Sequence, residues 1–241
     1  MKRLVSLWAV LALVLAASVT PAHAQPASDE WQVFVTPYLM GAAMSGTTTV
    51  RGAQLDLDLS ASDIFSNLQF GAMGLVVARK GHWGFGSDLI WMALGTDVRD
   101  TNVDFNQGAF AFYGLRALGP AADVTFGARI NTLQGALKFK GPDIDVSQDK
   151  TWVDPIVGLT LRTAPDRRVQ ARLYTEIGGF GLGSDFTWQV FPNVGVRLTR
   201  SASMEVGYRW LDLDYATGEG NSEFRYDVLT QGPVIGFGFR F

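Results

Sequence analysis

Polar and apolar residues alternate with a period of two along much of this chain. From Asp123 to Asn131 one parity is Asp123, Thr125, Gly127, Arg129 and Asn131, and the other is Val124, Phe126, Ala128 and Ile130. All charge therefore falls on one face. From Asp185 to Thr199 the polar set is Asp185, Thr187, Gln189, Asn193, Gly195, Arg197 and Thr199, interrupted by Phe191. Its counterpart is Phe186, Trp188, Val190, Pro192, Val194, Val196 and Leu198. Ser203, Glu205, Gly207 and Arg209 alternate likewise with Met204, Val206, Tyr208 and Trp210, and Asp154, Gly158, Thr160 and Arg162 alternate with Val153, Pro155, Val157, Leu159 and Leu161. Successive side chains of a strand point to opposite faces, so this pattern predicts strands with one apolar and one polar side.

Turn signals punctuate the strands at Lys80-Gly81, Gly119-Pro120, Ala164-Pro165-Asp166 and Arg200-Ser201. Longer polar stretches lie between them, at 41–67, 95–106, 140–150 and 216–223, with a brief one at 181–184. Short turns alternating with long loops are the expected asymmetry between the periplasmic and extracellular ends of a transmembrane barrel. The pattern gives strands near 31–42, 68–80, 82–95, 106–118, 121–139, 150–163, 167–182, 184–199, 201–216 and 223–241. That makes an all-β, antiparallel transmembrane barrel of about ten strands, with eight or twelve as alternatives. An even count places both termini at the periplasmic end. The segment from Gln54 to Asn67, where Leu55, Leu57 and Leu59 alternate with Asp56 and Asp58 before a short helix from Ser62, reads as a hairpin extension or a loop plug.

Lipid offers no partner to a backbone amide, so a β protein can span a bilayer only as a closed barrel. A one-residue slip would place strand charges in hydrocarbon, at about 2–4 kcal/mol for each Arg near the midplane, which specifies register strongly. A secreted soluble β-sandwich is the competing reading. It would bury Phe186, Trp188, Val190, Val194 and Val196 in a protein core, and periodicity does not separate the two. The last residues tip the balance: Phe237, Phe239 and Phe241 alternate with Gly238 and Arg240. This resembles the C-terminal strand that outer-membrane proteins present to the barrel assembly machinery.

Lys2 and Arg3, the apolar run from Leu4 to Val19 and the triplet Ala22-His23-Ala24 form a secretory signal over 1–24, leaving a barrel over 25–241. The apolar run falls short of the roughly 20 residues that a spanning helix needs. Cleavage would remove Lys2 and Arg3 but no acid, taking the net charge from −3 to −5. A mildly acidic chain without a basic patch is a poor candidate for nucleic acid. Cysteine is absent, so an exported chain must be held together without disulfides. The 27 glycines and 12% aromatic residues suit short strands better than helices.

At Trp31-Gln32-Val33-Phe34-Val35-Thr36-Pro37-Tyr38-Leu39, at Trp152-Val153-Asp154-Pro155-Ile156-Val157-Gly158, and from Glu176 through Gly178-Gly179-Phe180-Gly181 to Trp188-Gln189, the chain resembles a largely uncharacterised family of small bacterial outer-membrane β-barrel proteins. The similarity runs over most of the chain beyond the signal. It implies fold and location and no reaction. The position of Glu176 is commonly Asp in that family, which keeps the carboxylate.

Chemistry is sparse. A barrel enzyme acting on lipid or protein commonly uses a His as general base. Beyond the signal only His82 remains, beside the Lys80-Gly81 turn, and no strand-borne Ser pairs with it recognisably. A His and Cys metal cluster is excluded by count. Asp56, Asp58 and Asp63, or Asp143 and Asp145, match no calcium-loop spacing. The glycine run at 178–183 lacks the Lys-Ser/Thr end of a phosphate loop and reads as a tight hairpin top. No cofactor is expected.

What remains is the interior. Inward parity collects Asp88, Asp123, Asp154, Glu176, Asp185 and Glu205 with Arg116, Arg129, Arg162, Arg172, Arg197, Arg209 and Arg240. Two readings compete: a conduit for small solutes, or a salt-bridge network that fills the lumen and fixes register. Charges withdrawn from water need partners, and small barrels tend to be filled by side chains. Near-balanced charge also argues against strong ion selectivity. Trp83, Trp91, Trp188, Trp210 and Tyr208 fit the interfacial girdle. The expectation is a monomeric barrel in outer-membrane lipid with a mostly occluded lumen and a structural or surface-interaction role. A narrow porin-like channel is the alternative, and a lipid-modifying enzyme a more distant one.

Overall fold

The computed structural model describes residues 30–50, 53–98, 101–139, 145–163 and 167–241. The signal segment, the Ala164-Pro165-Asp166 turn and Asp143 lie outside these residues. Twelve strands follow in chain order: β1 (Gln32–Met40), β2 (Ala43–Val50), β3 (Ala53–Leu59), β4 (Leu68–Lys80), β5 (Trp83–Val98), β6 (Thr101–Ala117), β7 (Ala122–Phe139), β8 (Asp145–Arg162), β9 (Val169–Gly178), β10 (Phe186–Arg197), β11 (Ala202–Thr217) and β12 (Phe224–Arg240). One helix, α1 (Ala61–Asn67), lies between β3 and β4. No described helix is long and apolar enough to cross a membrane.

Ten of the strands, β1 and β4 through β12, form an antiparallel sheet that closes on itself through β1 and β12. All ten sequence-predicted passes are present. β1 and the residue after β12 meet there, with reciprocal backbone bonds between Val33 and Phe241 of 3.2 and 2.9 Å. The turns at Lys80–His82, Leu118–Ala121 and Leu198–Ser201 share that end of the barrel. Closure leaves no open edge in the wall that crosses the membrane, as a lipid-embedded sheet requires.

The ambiguous segment after β1 resolves into both of its alternatives. β12 pairs with β1 along its C-terminal half, from Val234 to Arg240, and then with β2 from Phe224 to Gln231. β2 and β3 form a hairpin that continues the wall beyond β1. The change of partner needs a close approach: a Cβ on Gly232 would stand 2.0 Å from the Gly41 carbonyl oxygen, while the Gly41 N–H donates to Pro233 O at 2.8 Å. After the hairpin, Ser60 caps α1: its hydroxyl accepts from Asp63 N–H at 3.2 Å, and its own N–H donates to Asp63 Oδ2 at 2.9 Å. α1 turns Ile64 into the bore, where it is buried.

The outer surface carries an apolar belt. Phe85, Leu89, Phe112, Phe126, Val157, Ile177, Val194, Val206, Ile235, Phe237 and Phe239 are exposed large apolar groups on outward positions. In water so broad a patch would be untenable, and in a bilayer it is the lipid contact. The soluble sandwich is overturned by this geometry: Phe186 and Val194 face outward and exposed rather than into a second sheet. Trp83 marks the border at the short-turn end, with the Arg116 guanidinium over its ring at 5.1 Å. Arg116 thus lies on the outer wall, against the expectation that it points inward, because its neighbours Leu115 and Ala117 take the lumen side. Tyr208 and Trp210 pack at 4.4 Å, and Trp91 stacks on Phe110 at 6.0 Å.

The other border is written in a reversal of polarity. Along β11 the outward parity runs Met204, Val206, Tyr208, Trp210 and then Asp212, Asp214. The inward parity runs Ser203, Glu205, Gly207, Arg209 and then the buried Leu211 and Leu213. β12 does the same with Arg225 and Asp227 outward and the buried Tyr226 and Val228 inward. Beyond this level the wall stands in water outside and encloses an apolar core.

Candidate functional site

The lumen has two tiers. Toward the long-loop end it is filled by apolar side chains: Tyr38, Met40 and Met44 from β1 and β2, Ile90, Met92 and Leu94 from β5, Leu133, Trp152, Leu211, Leu213, Phe224, Tyr226 and Val228 from the remaining wall, and Ile64 from α1. Trp152 stacks on Tyr215 across the bore with ring centroids 4.1 Å apart. Apolar side chains fill this tier, where the sequence pattern predicts charge. Toward the short-turn end a cavity of about 1100 Å³ remains, bordered at its mouth by His82, Pro120, Arg200 and Ser201.

Charge networks form the floor and sides of that cavity. Arg209, 2% exposed, donates through Nη2 to Asp88 Oδ2 at 2.6 Å and through Nη1 to the Tyr38 hydroxyl at 2.7 Å. The Tyr38 hydroxyl in turn donates to Asp88 Oδ1 at 2.7 Å, closing a triangle. The guanidinium also lies over the Phe191 ring at 4.6 Å and the Tyr38 ring at 5.1 Å. A second node pairs Arg129 with Glu176, and the other oxygen of Glu176 accepts the Tyr174 hydroxyl at 2.5 Å. A third gathers Arg79 and Arg162 on Asp123, with Arg79 at 3.2 Å. Arg172 approaches Glu205 at 3.8 Å. Buried charges paired in this way fix the register of the strands that carry them.

Of the residues assigned to the lumen from sequence, Asp88, Asp123, Arg129, Arg162, Arg172, Glu176, Glu205 and Arg209 are joined in these pairs. Arg197 lines the cavity, and Arg240 lies at its rim over the Phe34 ring at 5.8 Å. Besides Arg116 on the outer wall, two assignments differ. Asp185 is exposed at the outer end of β10, where the strand has left the barrel interior. Asp154 is fully buried but satisfied by neutral donors: Ser184 N–H at 2.6 Å, Ser184 hydroxyl at 2.9 Å and Asn131 Nδ2 at 2.7 Å. Trp152 Nε1 donates to Ser184 Oγ at 2.8 Å. Asp154 therefore ties β8 to the tight 179–184 turn. That turn places Gly179, Phe180 and Gly181 at positive φ (82°, 53° and 73°), a conformation two of the three meet without cost as glycines.

Sequence reasoning missed Arg79, Tyr38 and Tyr174. Arg79 shares inward parity with Leu75 and Val77, which was the available signal. The tyrosines carried no signal, because nothing local distinguishes a phenol facing lipid from one facing a carboxylate.

Among the described residues eight arginines and five acids line the cavity, an excess of three positive charges in a chain of net charge −3. The acids are displaced to the outer wall beyond the lipid belt. Asp214, Asp227, Thr47 and Asp56 follow one another across β11, β12, β2 and β3 in one row, with Asp212 and Asp58 in the next. Among the described residues no group of three or more His, Cys, Asp or Glu side chains is arranged to hold a metal ion.

A closed ten-stranded antiparallel barrel with an apolar outer belt and a charged bore is the fold of bacterial outer-membrane β-barrel proteins. No family model and no curated protein matches the sequence. Solved structures do: the outer membrane protease OmpT from Escherichia coli superposes with a TM-score of 0.55 at 10% identity, covering 90% of this chain and 99% of that one. The attachment invasion locus protein Ail of Yersinia pestis gives 0.38 at 11% identity over 90% of this chain and 100% of its own. Neisserial surface protein A gives 0.34 at 13% over 90% and 100%. At such identities the likeness to OmpT is one of fold alone.

Proposed function

We propose that this chain is a monomeric, non-enzymatic protein of the bacterial outer membrane with a structural or surface-interaction role, and that its barrel does not conduct. It would be exported through the periplasm and inserted by the barrel assembly machinery, for which Phe237 and Phe239 on the outer face of β12, with Phe241 just after it, form the recognition signal. The observation that carries this reading is the apolar tier. Tyr226, Val228, Leu213 and Met44 are each at most 2% exposed inside the bore, and desolvating an ion among such groups is prohibitive. The acid-rich outer wall formed by β3, β11 and β12 is the surface offered to an interaction partner. His82 stands exposed at the cavity mouth, as a turn residue would.

The test is conductance of the protein refolded into a planar bilayer, once heat-dependent gel migration shows a folded barrel. Silence is expected. Discrete, reproducible openings would overturn the closed reading and establish the narrow channel, which the polar cavity at the short-turn end favours. Lipid turnover abolished by His82→Ala would instead overturn the non-enzymatic part.

A further inference from the structure

The cavity has two unlike walls. On one side Phe34 of β1, Leu75 and Val77 of β4 and Leu115 of β6 face the space, with Arg79 of β4 turned to Asp123 and Arg240 at the rim over the Phe34 ring. In the ring of ten strands β8 to β10 lie opposite, and they present Arg162, Arg172, Arg197 and Asn193. Asn193 is 6% exposed, and its Nδ2 makes no hydrogen bond within the protein. It stands beside Arg172 as its cross-strand partner. A buried donor left without an acceptor is costly unless a ligand supplies one.

An excess of three positive charges along the cavity and its rim draws anions toward it, and guanidinium forks match the geometry of carboxylate and phosphate oxygens. The volume, about 1100 Å³, is at the upper end of small-molecule sites and far exceeds what a single inorganic ion fills. Entry is axial, because the ten strands close into one continuous wall around the cavity and membrane lipid has no lateral way in. We infer that the cavity binds a small water-soluble amphiphilic anion, a phosphate or carboxylate head on an apolar body, taken from the short-turn, periplasmic side. The head sits against Arg172, Arg197 and Asn193 and the body against Phe34, Leu75 and Leu115. This holds whatever the loops at the far end bind.

The experiment is calorimetric titration of the protein in phosphatidylcholine nanodiscs with phenyl phosphate, inorganic phosphate and benzyl alcohol. Phenyl phosphate should bind saturably, with each half-probe weaker by about tenfold or more, a difference of roughly 1.4 kcal/mol. Replacing Arg172 and Arg197 together by Gln should weaken phenyl phosphate by about tenfold or more, while Arg225→Gln on the outer wall leaves it unchanged. Ala117→Trp, which fills the mouth without altering charge, should also reduce binding and keeps the test open if the double variant does not fold. No saturable binding, equal affinity for inorganic phosphate, or indifference of a folded Arg172→Gln/Arg197→Gln barrel overturns the inference.

Discussion

Replacing Arg209 by Met isolates the energetics of the bore. Methionine keeps much of the apolar stem that packs between Phe191 and Tyr38 but removes the guanidinium that donates to Asp88 at 2.6 Å and to Tyr38 at 2.7 Å. Asp88 then retains only the Tyr38 hydroxyl as a donor among the bonds described here. Leaving one member of a buried ion pair uncompensated costs about 3–5 kcal/mol, whereas losing a solvent-exposed pair costs about 0–1 kcal/mol. The Asp88 side chain is 11% and the Arg209 side chain 2% exposed, which places the pair with the buried class. A loss of about 3 kcal/mol is a change of more than a hundredfold in the folding equilibrium. The assay is urea unfolding in lipid vesicles, read by tryptophan fluorescence and by heat-dependent gel migration. Adding Asp88→Asn to Arg209→Met should recover a large part of the loss, since the stranded charge is gone. A cost below about 1 kcal/mol for Arg209→Met, with no recovery in the double variant, would refute the reasoning: it would mean that water in the cavity solvates the carboxylate as an exposed site would.

Two further outcomes follow from other parts of the wall. Asp154→Ala should leave the barrel closed but free the 179–184 turn, because three donors from Ser184 and Asn131 lose their acceptor; protease cleavage near Phe180 and Leu182 should appear in the variant and not in the parent. Gly232→Ala should destabilise by about 1–3 kcal/mol through overpacking, since its Cβ would lie 2.0 Å from a backbone oxygen, while Gly135→Ala, whose Cβ meets nothing within 4 Å, should be neutral or slightly stabilising in the same unfolding assay.

The reversal of polarity along β11 and β12 shows how far the sequence could be read. Leu211-Asp212-Leu213-Asp214 keeps the two-residue period of the preceding Ser203 to Trp210, and period alone says strand for both. The exchange of apolar and polar parity at Trp210 and Leu211 says more: it marks where the wall leaves lipid and begins to enclose a core. Leu55-Asp56-Leu57-Asp58-Leu59 carries the same sign, with Leu57 and Leu59 packed against the core and Asp56 and Asp58 exposed. That exchange of parity runs against a lumen filled largely by charge.

Strand period, the ten passes and, Arg116 apart, the lipid-facing parity were legible in the sequence itself. Each rests on side chains alternating along contiguous backbone, and a slip of one residue is penalised at every position at once. The tertiary structure alone decided which inward charges meet. Arg209 and Tyr38 stand 171 residues apart and touch only because β1 and β12 close the sheet. Packing between neighbouring strands and turns likewise gave Asp154 to Ser184 and Asn131 rather than to an arginine, put Asp185 beyond the bore, and left one tier filled and the other open. These are matters of which strands face one another across the lumen and at what height, and alternation along a strand carries no record of either.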